Sequence, residues 1–231
     1  MDGVQELMDT THDTARTVMM GHCFRFHDGL ILAKRMLDDG RIGRLLCARC
    51  EMGEYIPEVM PTYRDMYVSR YSGAYELMHD IDLALWYADR PPRHVIGIDG
   101  TFGDLEMESP DLVELTVEFE DRRVGSVHLD FVQRVRHRVT RLIGTGGTIV
   151  VEFAGWDSCR VSVYDAREGR WSNQEMATDR DDMFRAEDRA FLSAAASGSQ
   201  APVDIAAGAL AVRVMQAAQE SSKTGQSVSI G

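Results

Sequence analysis

Glu76, His79 and Asp82 recur every three residues in Glu76-Leu-Met-His-Asp-Ile-Asp82. Around them Leu77, Ile81, Leu83, Ala84, Leu85 and Trp86 keep helical spacing. On a helix this puts the three polar side chains roughly on one face and directs Asp80 elsewhere. An imidazole with a carboxylate one turn away on each side is a candidate proton-transfer unit. The carboxylates would fix its tautomer and raise its pKa. The same pattern also fits a solvated acidic helix face. Carboxylate and imidazole suit divalent cations too, but no fourth ligand is evident, so no metal site is assigned.

The elements that must position this unit can be read along the chain. Val4 to Arg16 reads as a short amphipathic helix, and Thr17 to Cys23 as an apolar strand. Asp28 suits the N-cap of a helix over Gly29 to Asp39, with Gly40 as its stop. Leu45 to Met52 reads as a strand. Tyr55 to Arg70 has no clean period but holds Tyr63, Arg64, Tyr67 and Arg70, a composition that suits a polar ligand pocket. Ser72-Gly73 opens the helix of the polar triplet, and Pro91-Pro92 ends it. Strands follow over His94 to Thr101, Asp111 to Glu120, Val124 to Phe131, Arg138 to Ile143, Thr148 to Phe153 and Arg160 to Tyr164. A weaker one lies near Trp171. Gly144-Thr-Gly-Gly147 lies between two strands and reads as a hairpin turn, not a phosphate cradle. Helices over Asp181 to Ser197 and Asp204 to Ser222 precede a short strand, Gln226 to Ile230. Helices first and last with short-turned strands between them is an α+β pattern with a largely antiparallel sheet.

The 231 residues carry a net charge of −12 and no basic stripe, which argues against nucleic acid and anionic membrane partners. The one basic cluster, Arg134-Val-Arg-His-Arg-Val-Thr-Arg141, alternates like the polar side of a strand. It reads as a solvated or interface face before an anion site. The N-terminus has neither a basic nor an apolar leader region, so a cytoplasmic location is expected. Of four cysteines, Cys47 and Cys50 form C-x-x-C within a strand, where period two separates their side chains. All four read as reduced, packed thiols.

Several segments together resemble the C-terminal domain of the Gfo/Idh/MocA family of NAD(P)-dependent sugar and inositol oxidoreductases. Gly21-His-Cys-Phe-Arg-Phe26 is similar to a strand ending in N-x-R-F, with Cys23 in place of Asn. Gly40-Arg-Ile-Gly43 resembles a G-x-I-G turn, and Glu76 to Asp82 a helix reading E-L-x-H-x-I-D. Leu142 to Thr148 resembles the later hairpin, and Val203-Asp-Ile through Gly225 the closing helix. The resemblance implies residues 23–231 as a substrate-binding and oligomerisation domain. Residues 1–22 would be the last helix and strand of a Rossmann domain whose G-x-G-x-x-G and E-K-P motifs are not in this sequence.

It further implies His79 as the acid/base, with Glu76 in the place of a family Asp but three residues before the His, not four. Asp82 would orient His79 or cap the pocket, while Arg25, Tyr63, Arg64 and Tyr67 would line the substrate site. NAD or NADP would be the cofactor, with no cofactor-binding residues here, and a sugar-like small molecule the substrate. The assembly would be a homodimer or tetramer through the open sheet face. The expected function is therefore the substrate side of an oxidoreductase acting on a sugar, polyol or amino-sugar hydroxyl. The alternative is a carbohydrate-binding or oligomerisation module without catalysis.

Overall fold

The structure, a computed structural model, describes residues 3–67 and 73–230. Arg70 and Ser72, named above, lie outside the described residues. Nine strands form one sheet: β1 (Leu45–Tyr55), β2 (Pro92–Gly100), β3 (Leu112–Phe119), β4 (Val124–Asp130), β5 (Val132–Gly144), β6 (Gly147–Glu152), β7 (Ser158–Asp165), β8 (Arg170–Ala177) and β9 (Val228–Ser229). Their spatial order is β8-β7-β6-β5-β1-β4-β3-β2-β9. Every neighbouring pair is antiparallel except β1 with β4, so the α+β class holds.

Helices α2 (Asp28–Asp38), α5 (His79–Ala88) and α7 (Ile205–Thr224) cover one face of this sheet. The strand period explains why. The row Val95, Val117, Gly125, Ala48, Leu142, Ile149 and Val163 runs apolar across seven strands. It packs against Ala84 of α5 at Gly125. The neighbouring row, Ile96, Thr116, Ser126, Arg49, Arg141, Val150 and Ser162, faces away from the helices. A one-residue slip would exchange the two faces, so burial of the valine row fixes the register.

Four local expectations change. Thr17 to His22 forms no strand, because no sheet edge lies beside it among the described residues. It meets the fold through the Met20 N–H, which donates to the Val203 carbonyl beside Gly208 of α7, where Met20 takes the space of a side chain, and through the buried His22 next to Asp82. Asp28 lies inside α2, whose N-cap is His27 with no side-chain cap. The run from Tyr55 folds in part, into the short helices α3 (Ile56–Val59) and α4 (Tyr63–Tyr67). The helix of the polar triplet is broken in two: a 3-10 turn over Gly73–Leu77 and then α5. Gly73 has a positive φ and touches the Pro110 carbonyl, which a Cβ would meet at 2.1 Å.

The helix α1 (Val4–Thr14) buries no residue, whereas α6 (Arg180–Ser197) lies near the 3-10 turn Cys23–Phe26. Among the described residues no helix is long and apolar enough to cross a membrane. The C-x-x-C thiols separate as the strand period requires: Cys50 is buried on the helix side and Cys47 is half-buried on the other.

Sheet and helix backbones approach closely at Gly97. Its N–H donates to Ser221 Oγ at 3.0 Å, and a Cβ there would meet the Ala218 carbonyl at 2.6 Å. Because that obstacle is backbone, it cannot rotate away. Gly97→Ala is expected to lower unfolding stability by about 2 kcal/mol or more, measured by urea denaturation. A midpoint equal to wild type would show that α7 is not held this tightly on β2.

Candidate functional site

At the end of β1 and the start of β5 the core-facing rows stop being apolar. Following Ala48, Cys50 and Met52 on one face of β1 comes Glu54. Following Leu142 and Thr140 on β5 come Arg138, Arg136 and Arg134. Of these side chains, Glu54 and Arg138 form the strand wall of a cavity of about 680 Å³, also lined by Phe24, Tyr67, Glu76, His79, Trp156, Arg180 and Glu187. This corrects the reading of the basic cluster as a solvated or interface face for one residue: Arg138 turns to the helix side and is buried, with Arg136 half-buried beyond it. Arg134 is exposed, and His137 and Arg141 face away from the helices, as that reading expects.

Arg138 is 4% exposed and pairs with Asp80, which is 0% exposed. Asp80 is thus the partner that holds a guanidinium in an apolar row, not a bystander. Burial pushes its carboxyl up, and the guanidinium of Arg138 opposes that. The flat side of Arg138 lies over the Phe24 ring, 3.9 Å from its centroid. Asp82 makes a second buried pair. It accepts from Arg25 Nε at 2.8 Å and Nη2 at 2.6 Å, with His22 Nε2 3.6 Å from its Oδ1. Asp82 and Arg25 together brace the Cys23–Phe26 turn against α5, and neither lines the cavity.

The sequence triplet therefore does not share one face. Glu76 sits on the 3-10 turn and is exposed at the cavity; Asp82 turns to Arg25. His79 is hydrogen-bonded to neither, and its Nδ1 is buried without a partner among the described residues. Its ring packs edge-on to Phe24 at 4.9 Å and stands 6.0 Å from His22. Its pKa is lowered to about 3, by burial first, then by the charge of Arg138, then by His22. The expectation of a carboxylate-raised imidazole is overturned: His79 is neutral. His22 and His27 are lowered as well, burial being the main cause.

Of the remaining expected residues, Tyr67 is in the cavity wall, where burial raises its phenol pKa. Tyr63 is buried outside it, and Arg64 lies at the surface, 3.2 Å from Glu106. Glu54, Arg138, Trp156, Arg180 and Glu187 were not expected. Strand parity was the available signal for Glu54 and Arg138. For Trp156 and the α6 residues the sequence carries none, since only the packing of α6 brings them in. Burial raises the carboxyl pKa of both Glu54 and Glu187. Among the described residues no group of three His, Cys, Asp or Glu could hold a metal ion.

The glycine-rich turn at residues 144–147 closes the β5–β6 hairpin. A Cβ on Gly144 would meet the Ile42 carbonyl, and one on Gly147 the Tyr164 carbonyl, both at 2.2 Å. Those glycines serve backbone packing, not phosphate binding. This hairpin is therefore no cradle for a dinucleotide.

Residues 30–150 match the family model described as GFO/IDH/MocA C-terminal domain. The chain is 23% identical over 185 residues to 2,7-anhydro-N-acetylneuraminate hydratase of Mediterraneibacter gnavus (strain ATCC 29149 / DSM 114966 / JCM 6515 / VPI C7-9). That alignment covers 78% of this chain and 49% of the relative, so the chain spans about half the length of the curated relative it matches. In fold it is similar to an aldose-aldose oxidoreductase from Caulobacter crescentus complexed with glycerol. The TM-score is 0.83 at 17% identity, over 98% of this chain and 68% of that one. It is also similar to scyllo-inositol dehydrogenase from Lactobacillus casei with bound NAD(H) and scyllo-inositol. There the TM-score is 0.78 at 18% identity, over 99% and 69% of the two chains.

The depressed pKa of His79 has a signed consequence. Its folded value of about 3 lies below the ordinary imidazole value of 6.5. The stability it contributes is complete above pH 6.5 and is lost as pH falls from there toward 3, because the unfolded chain takes the proton first. Urea midpoints of the wild type should therefore fall more between pH 7.5 and pH 5 than those of His79→Asn. Equal slopes would mean that the imidazole is solvated in the folded chain.

Proposed function

The chain belongs to the GFO/IDH/MocA C-terminal domain family, and on that premise we propose that it is the substrate side of an oxidoreductase acting on a sugar or polyol hydroxyl. The observation that carries this reading is the cavity itself. It combines aromatic faces from Phe24 and Trp156 with a neutral imidazole and several carboxylates and guanidinium groups in one concavity. Apolar ring faces with a few fixed polar groups are the composition that binds a sugar ring and orients its hydroxyls.

In this reading His79, held neutral, accepts a hydrogen bond from the hydroxyl that reacts and orients it. Arg138, which lines the cavity, donates from its guanidinium. Asp80 keeps that guanidinium in place, and the Arg25–Asp82 pair keeps the Phe24 turn in place. Phe24, packed against His79, limits water at the imidazole. The family resemblance implies NAD or NADP as the redox group. None of these roles depends on a contact to it.

A titration of the purified chain with myo-inositol and glucose, followed by ligand-observed NMR, tests this. Binding in the millimolar range or tighter that His79→Asn weakens at least tenfold is expected. No binding of either, or binding indifferent to His79, would sink the reading. If binding is found but no reduction of NAD or NADP accompanies it in the longest chain carrying this segment, the binding-module alternative holds instead.

The open face of the sheet suggests a second copy as partner. Ile96, Ile98, Val135 and Trp171 are exposed large apolar side chains on its strands. Between them lies a charged group in which His128 sits 2.6 Å from Glu114 and 2.8 Å from Asp130. Those carboxylates hold the imidazole pKa up at about 9, Asp130 contributing most. Self-association through this face covers apolar surface that would otherwise contact water. Sedimentation velocity is expected to show a dimer or larger, and a monomer at micromolar concentration would remove this part of the proposal.

A further inference from the structure

Glu54 has no role in anything derived so far, yet it is the most deeply placed carboxylate that lines the cavity. It is 6% exposed, at the end of the core-facing row Ala48, Cys50, Met52 of β1. A carboxylate there is expected to be hydrogen-bonded, because burying an unpaired acceptor is costly. Glu54 accepts no hydrogen bond among the described residues. Among the described residues its one ion pair is with Arg136, whose Nε stands 3.4 Å from Oε2 and is itself buried without a hydrogen bond to any of them. The Arg136 guanidinium is occupied as well with the Trp156 ring, 4.7 Å from its centroid. Neither Glu54 oxygen is among the sealed, unpartnered polar atoms of the structure, so the carboxylate opens onto the cavity that it lines.

We infer that Glu54 is a ligand-binding and specificity-determining residue of this cavity, accepting hydrogen bonds from neighbouring hydroxyls of a neutral polyhydroxylated ring. This rests on the sugar-binding reading above. A carboxylate accepts through two oxygens and donates nothing, so two adjacent hydroxyls satisfy it and an ether or an amide carbonyl does not. The charges around the cavity set the ligand's own charge. Among the described residues, Arg138 and Arg180 of the cavity wall and Arg136 behind Glu54 stand against four carboxylates, Glu54, Glu76, Glu187 and Asp80 behind Arg138. Arg136 and Arg138 are already matched by Glu54 and Asp80. Arg180 lies over Trp156 and Phe184, and neither Glu76 nor Glu187 has an ion pair among the described residues. A sugar acid brought to Glu54 would therefore meet repulsion that a neutral polyol does not. The raised pKa of Glu54, caused by burial, agrees with a carboxylate short of donors in the free chain.

The test uses the 231-residue chain with three probes, myo-inositol, glucose and glucuronate, and the variants Glu54→Gln and Glu54→Ala. The wild type should bind a neutral probe at least tenfold better than glucuronate. Glu54→Ala should lose tenfold or more of that affinity, while Glu54→Gln should bind glucuronate better than the wild type does. A structural role alone would not produce that gain, and urea midpoints of both variants check that they fold. If wild type and Glu54→Gln bind all three probes alike, or the wild type prefers glucuronate, the assignment of Glu54 is overturned while the cavity remains a sugar site. If the wild type binds none of the three, the sugar reading itself falls, and Glu54 with it.

Discussion

A guanidinium set in an apolar row of a sheet demands a carboxylate from whatever packs on that row. Arg138 occupies such a position, level with Met52 and Leu129 across the strands, and Asp80 of α5 answers it. Two charges withdrawn from water are tolerated only as a pair; removing either partner of such a pair costs about 3–5 kcal/mol. Where α5 starts, how it is turned, and hence where His79 stands are thus tied to one ion pair. The residue before Asp80 is delivered to the cavity because Asp80 itself is not free to go there.

The second buried pair extends this constraint to the chain's first part. Arg25 reaches Asp82 two residues further along α5 and draws Phe24 under His79. One short helical stretch thus carries alternating duties: His79 to the cavity, Asp80 to the sheet, Asp82 to the N-terminal turn. The chemistry of His79 follows from that company. With Phe24 against its ring and Arg138 nearby, the cationic form is disfavoured, and the imidazole is kept as a neutral hydrogen-bonding group.

Much of the fold was legible beforehand because it follows from period two. Alternation along Asp111 to Glu120 and Val124 to Phe131 matched β3 and β4 closely, and the hairpin at residues 144–147 followed from its glycines. Thr17 to His22 shows the limit of that reasoning. An apolar run becomes a strand only beside another strand, and propensity does not state whether a neighbour exists. The break between the Gly73–Leu77 turn and α5 was hidden for a similar reason. It is imposed by Gly73 against Pro110, a contact between segments far apart in sequence.

For the candidate site, the sequence alone determined that His79 is set among carboxylates on a helical stretch, and that Tyr67 belongs to a segment beside it. Both are local facts, readable from spacing. Only the tertiary structure decided which carboxylate does what. Asp80 and Asp82 became supports, Glu76 was left at the rim, and Glu54 and Arg138 entered from two strands 84 positions apart in the chain. The physical reason is that a charge's role depends on its burial and its nearest opposite charge. Both are properties of packing between distant segments, which spacing along one segment does not contain.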